Sequence, residues 1–174
     1  MKKGYVQVYT GDGKGKTTAA LGQAVRSAGA GLRTFIIQLM KEYPYSELVG
    51  LEPLADRIAI EQYGGDAFVY KGEPPGEAEK AKAARALERA VEVMASGEWD
   101  VVVLDEVCAA IYFELITTGD LLTVLDGRPE TVELVLTGRY CPDEVLERAD
   151  LVTEMREVKH YYRQDVRARK GIES

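Results

Sequence analysis

Nine residues at positions 10–18, Thr-Gly-Asp-Gly-Lys-Gly-Lys-Thr-Thr, constrain this chain more than any other stretch. They follow a strand-like run, Tyr5-Val6-Gln7-Val8-Tyr9, and precede an alanine-rich helical run at 19–28. The glycines at 11, 13 and 15 let the backbone turn its N–H groups inward. The helix that starts beside them adds the positive end of its dipole, and Lys16 adds a full charge. Strand, glycine-rich loop and helix in that order make a phosphate-binding loop. Its expected ligand is a polyphosphate held by Gly11, Asp12, Gly13, Lys14, Gly15, Lys16, Thr17 and Thr18, with the Thr17 hydroxyl on Mg²⁺. Thr10 stands where the pattern G-x-x-x-x-G-K-[ST] has its first glycine, so the phosphates are expected to sit differently from those of an ordinary ATPase.

Beyond the loop, apolar β-branched runs alternate with helical patterns, as in a parallel sheet covered on both faces. Strands are expected at 5–9, 34–38, 58–62, 101–104, 132–137 and 151–154. Helices are expected at 17–28, 75–96, 109–116, 120–126 and 142–148. In the longest of these, Ala84, Leu87, Ala90, Val91 and Met94 share one face. No repeat or long linker divides residues 1–174, so one α/β domain is expected. Two loops, 39–56 and 63–76, are long enough to suggest function.

The formal net charge of −7 argues against a broad nucleic-acid footprint. No apolar run nears 18 residues and no charged-then-apolar leader precedes Tyr5, so a cytoplasmic protein without a membrane partner is expected. Cys108 and Cys141 lack metal-ligand spacing.

A second chemical feature lies at Val101-Val102-Val103-Leu104-Asp105-Glu106, an apolar strand ending in two carboxylates. Ligands of open parallel sheets gather at the carboxyl ends of strands. Asp105 and Glu106 are therefore expected beside the phosphate loop, completing a Mg²⁺ site with Thr17. Successive side chains point different ways, so one carboxylate holds the metal, directly or through water, while the other faces substrate; a solvated acidic turn is the alternative.

The whole chain resembles the ATP:corrinoid adenosyltransferases. The resemblance is carried by residues 8–20, by 102–106, by Leu136-Thr137-Gly138-Arg139-Tyr140-Cys141-Pro142, by Glu154-Met155-Arg156-Glu157-Val158-Lys159-His160 and by Ala168-Arg169-Lys170-Gly171-Ile172, in the family's order. It implies a three-layer RecA-like P-loop fold with a mostly parallel sheet of about six strands, assembled as a homodimer. It implies transfer of the 5′-deoxyadenosyl group of ATP to the Co(I) of cobalamin or cobyrinic acid a,c-diamide, with tripolyphosphate released. ATP would lie reversed relative to ordinary P-loop enzymes, and a flavoprotein or other reductant would supply Co(I). Lys16, Thr17 and Glu106 would then serve the displacement, with Mg²⁺ held among Thr17, Asp105 and Glu106.

The resemblance also sets Phe68 and Tyr70 against the corrinoid, where aromatics would keep a lower axial ligand off cobalt; packing of a loop onto the sheet is the plain alternative. Many relatives carry tryptophan where Tyr70 stands. Arg139 reaches phosphate or corrin amides in one reading and a surface carboxylate in the other. Lys159 and His160 either close over the base or ribose or form a surface turn. Longer relatives cover the site with an N-terminal extension; here the 63–76 loop and the C-terminal tail are the candidates. Two rival classes use the same loop: a small-molecule kinase and a non-catalytic ATP-gated interaction protein.

Overall fold

The computed structural model describes residues 2–42, 45–65 and 75–173. Its frame is one six-stranded sheet built from β1 (Val6–Thr10), β2 (Thr34–Leu39), β3 (Ile58–Tyr63), β4 (Val101–Asp105), β5 (Glu133–Thr137) and β6 (Leu151–Glu154). The strand order is β3-β2-β4-β5-β1-β6, and every neighbouring pair is parallel. The helices are α1 (Lys16–Gly29), α2 (Ser46–Gly50), α3 (Glu77–Ala95), α4 (Val107–Tyr112), α5 (Thr118–Asp126) and α6 (Asp143–Arg148). This is the three-layer, RecA-like P-loop arrangement.

The period of two along each strand sorts the apolar residues onto two faces. Val101 and Val103 of β4, Ile36 of β2 and Val135 of β5 pack with Ala20 and Ala24 of α1. Val102 and Leu104, Phe35 and Ile37, and Leu134 and Leu136 face the other way, against Ala83, Ala86 and Ala90 of α3, Leu121 of α5 and Val145 of α6. Both faces are covered, which is why these strands read as unbroken apolar runs. The same parity carries Gln38, Asp105 and Thr137 onto the α1 face at the carboxyl ends of three adjacent strands.

Several boundaries differ from those read in the sequence. β4 includes Asp105, because it continues in register opposite Gln38 of β2. α4 begins at Val107 and stops at Tyr112, ahead of the expected 109–116. α5 begins at Thr118, where Thr117 and Asp120 form a capping box whose side chains each bond the other's backbone N–H. The expected loop at 39–56 contains α2 and a turn of 3-10 helix at Glu52–Leu54, both too short to leave a periodic signal.

Leu104 is fully buried in the central strand. Leu104→Ala should destabilise the protein by about 2–5 kcal/mol in urea titration, and a smaller loss would mean that this core layer collapses around the gap.

Candidate active site

Gly15 caps α1 with φ of 118°, and Gly11 has φ of 94°. The Gly13 N–H donates to the Met155 carbonyl at 2.7 Å, just beyond β6. A Cβ on Gly11 would come within 2.4 Å of that same carbonyl oxygen, and one on Gly13 within 2.7 Å. Gly11 and Gly13 thus let the loop lie directly against residues 155–156, where any side chain would clash. Lys16 is buried, and its Nζ donates to the Gly11 carbonyl at 2.6 Å and the Gly13 carbonyl at 2.8 Å. An ammonium has three donors, so one remains for a phosphate oxygen. Burial pulls the Lys16 pKa down and Arg139 adds to this, while Glu106, Asp12 and Asp105 oppose it.

Opposite the loop, the Asp105 carboxylate is buried and fully occupied. Its Oδ1 accepts from the Thr17 hydroxyl at 2.9 Å and the Thr137 hydroxyl at 2.7 Å. Its Oδ2 accepts from Lys41 Nζ at 2.8 Å and Gln38 Nε2 at 3.2 Å. Burial acts to lower the Lys41 pKa, but Asp105, with Glu106 and Glu47 behind it, outweighs burial and holds the ammonium above its ordinary value.

Glu106 is placed differently. Its φ of 64° turns the chain from β4 straight into α4, and its N–H donates to the Thr137 hydroxyl at 2.9 Å. The Glu106 carboxylate has no hydrogen-bond or ion-pair partner among the described residues. Burial, then the Asp105 charge, raises its pKa, against Lys41, Lys16 and Arg139. Such a group gains from an added cation. Met40, directly after β2, and Tyr140, three residues beyond β5, also have positive φ, of 58° and 57°, so three non-glycine residues in the left-handed region follow the neighbouring strands β2, β4 and β5. Strain of this kind, about 1–3 kcal/mol per residue, collects at functional sites.

The structure therefore brings the loop, Thr17, Asp105 and Glu106 together. Thr17, Lys41 and Glu106 share a cavity of about 590 Å³ with Lys14 and Thr18. Arg139 is exposed beyond β5 and lines a second, polar cavity of about 490 Å³ with Asp12, Glu154, Arg156 and Arg163. Lys159 and His160 line neither cavity; Lys159 is exposed, and His160 Nδ1 accepts the Tyr162 N–H at 3.0 Å to start the 3-10 turn Tyr161–Gln164. Phe68 and Tyr70 lie outside the described residues. Sequence reading did not single out Gln38, Lys41 or Thr137. The strand-end positions of Gln38 and Thr137, the place of Thr137 in the 136–142 block, and the length of the 39–56 loop that holds Lys41 pointed toward them.

A profile described as ATP:corrinoid adenosyltransferase BtuR/CobO/CobP matches residues 2–174. The chain belongs to that family. It is 32% identical over 173 residues to the corrinoid adenosyltransferase of Escherichia coli K12, covering 99% of this chain and 86% of the relative. The corrinoid adenosyltransferase CobA of Salmonella typhimurium matches to the same extent, 32% over 173 residues with 99% and 86% covered. A Pseudomonas aeruginosa corrinoid adenosyltransferase is 30% identical over 175 residues, covering 99% of this chain and 84% of its own. The activity of the family is transfer of the adenosyl group of ATP to the cobalt of a corrinoid. Among the described residues no helix is long and apolar enough to cross a membrane.

Thr137→Val keeps the volume but removes the hydroxyl that serves both Asp105 and the Glu106 N–H. It should cost about 1–3 kcal/mol in denaturant titration and reduce turnover together. Unchanged stability and turnover would show that the hydroxyl organises neither residue.

Proposed function

We propose that this chain adenosylates a corrinoid by holding the triphosphate of ATP as a leaving group on residues 10–18, with the nucleoside end directed toward the carboxyl ends of β2 and β4. The observation that carries this reading is the convergence of a preset Lys16 ammonium and a cation-seeking Glu106 carboxylate on one side of the loop. In the displacement, the substrate's Co(I) donates its electron pair to C5′ of the ribose, a cobalt–carbon bond forms, and the C5′–O bond breaks. The electron pair of that bond leaves on tripolyphosphate, and the cobalt becomes formally Co(III). No side-chain nucleophile is needed. The protein contributes position and charge: Lys16 and the loop N–H groups other than that of Gly13, which the Met155 carbonyl occupies, meet the charge that develops on the leaving oxygen.

The residues present fit Mg²⁺, a hard cation that takes one or two carboxylates beside phosphate oxygens. Glu106 and the Thr17 hydroxyl are oxygen donors of this kind, although no group of three or more acidic, histidine or cysteine side chains is assembled among the described residues. When bound, Mg²⁺ would neutralise part of the triphosphate charge. In this assignment Glu106 holds the metal directly, and Asp105 acts on it through Thr17, whose hydroxyl it orients. Arg139, whose charge is felt at Lys16 and Glu106, supplements the positive field.

Further roles rest on the family resemblance: Phe68 and Tyr70 against the corrinoid, Lys159 and His160 near the nucleoside, a homodimer, and a flavoprotein or other reductant for Co(II); one nucleotide-binding domain over residues 1–174 and a cytoplasmic setting rest on the lack of a dividing linker and of a membrane-length apolar run in the sequence. The kinase alternative breaks a P–O bond, whereas adenosyl transfer breaks C5′–O. Turnover with reduced corrinoid should therefore release intact tripolyphosphate, leave no ADP, and continue with β,γ-non-hydrolysable ATP analogues. ADP in proportion to product would overturn the reading.

A further inference from the structure

The C-terminal segment has no part in the chemistry described so far, yet it returns to the active site. After the 3-10 turn Tyr161–Gln164, Asp165 adopts φ of 60° and redirects the chain. Residues 169–173 then close a turn in which the Ile172 and Glu173 N–H groups donate to the Arg169 carbonyl at 3.1 and 3.0 Å. The turn is pinned by one carboxylate. Glu173 accepts from the Arg169 N–H at 2.8 Å, from Arg169 Nη2 at 3.1 Å and Nε at 3.3 Å, and from the Tyr161 hydroxyl. The Arg169 guanidinium also lies 5.1 Å from the centre of the Tyr161 ring. Glu173 is held down to about 2 by Arg169 first and then Tyr161, so the anchor stays ionised at neutral pH.

This pinned turn places Gly171, Ile172 and Glu173 in the wall of the cavity that holds Lys14, Thr17 and Glu106. The cavity has two chemistries. Lys14, Thr17, Thr18 and Lys41 suit phosphate, while Leu21, Tyr45 and Ile172 offer apolar and aromatic surface. Phosphates on the loop's N–H groups would leave the apolar part to a flat heteroaromatic ring. The charge of Glu173 is matched by Arg169, so the segment brings no free carboxylate against the triphosphate.

We propose that residues 171–173 are the wall against which the nucleoside end of ATP is held, and that Glu173 is the positioning residue that fixes this wall through Arg169 and Tyr161. The inference rests on the nucleotide reading given above and adds a residue to it. Because the segment touches the nucleoside end, its loss affects ATP and spares a ligand made of phosphate alone.

The test compares wild type, Glu173→Ala, Glu173→Gln and Ile172→Ser for calorimetric binding of MgATP and of magnesium tripolyphosphate, for the KM of ATP and kcat, and for melting. Glu173→Ala should raise the Kd and KM for ATP roughly tenfold, with kcat and tripolyphosphate affinity within about twofold and melting little changed. Glu173→Gln keeps one acceptor oxygen, enough for the Arg169 N–H, while its amide NH2 meets the Tyr161 hydroxyl and the charge facing Arg169 is lost, so it should show an ATP affinity between those of wild type and Glu173→Ala. Ile172→Ser should weaken ATP selectively with the anchor intact. Equal losses for ATP and tripolyphosphate, or unchanged ATP affinity in both Glu173→Ala and Ile172→Ser, would overturn the wall. A wild type that binds neither MgATP nor tripolyphosphate would overturn the nucleotide reading itself, and the wall with it.

Discussion

A buried carboxylate is costly unless donors surround it, and Asp105 is surrounded on both oxygens. Its four partners come from different parts of the chain: Thr17 from α1, Gln38 from β2, Lys41 from the segment after β2, and Thr137 from β5. One side chain on β4 therefore ties together the phosphate loop and the carboxyl ends of the neighbouring strands. The strand order makes this possible. β5 stands between β1 and β4, so Thr137 bridges the gap that separates the loop strand from the strand bearing the carboxylates.

The adjacent residue has the opposite character. Glu106 leaves β4 in a left-handed turn, accepts no hydrogen bond from the described residues, and feels Asp105 as a like charge. Two neighbouring carboxylates are thus differentiated by surroundings alone: a satisfied one that organises and an unsatisfied one that seeks a cation. Local strain at Met40, Glu106 and Tyr140 is tolerated because each lies within three residues past the end of a strand, where the sheet no longer dictates the backbone. Beneath them the fully buried rows of β2, β4 and β5 supply the rigidity that holds the turns in place.

Much of this was legible in the chain. The glycine-rich loop announced itself through spacing and context, and all six strands were visible as apolar runs. The start of α5 was not: the T-x-x-D at Thr117–Asp120 forms the capping box that begins the helix at Thr118, two residues ahead of the expected 120–126. What could not be read was register. Gln38, Asp105 and Thr137 meet only because three strands pair with a particular stagger, and a shift of one residue would turn each to the other face. Lys41 lies outside any periodic element, so its ion pair with Asp105 belongs to tertiary structure alone. The C-terminal turn is similar: Arg169 and Glu173 are four residues apart, but Tyr161 and the cavity they face are brought in by the fold.

The central claim is the division of labour between Asp105 and Glu106. The most direct measurement is Mn²⁺ affinity by paramagnetic resonance, with ATP bound, beside urea stability of the metal-free protein, for Asp105→Asn and Glu106→Gln. The account predicts that Glu106→Gln weakens the metal roughly tenfold or more while stability is kept or raised. It predicts that Asp105→Asn lowers stability, because its amide nitrogen cannot accept from the donors that now converge on a carboxylate oxygen. Weak metal binding with unchanged stability in Asp105→Asn, together with normal metal binding in Glu106→Gln, would contradict it.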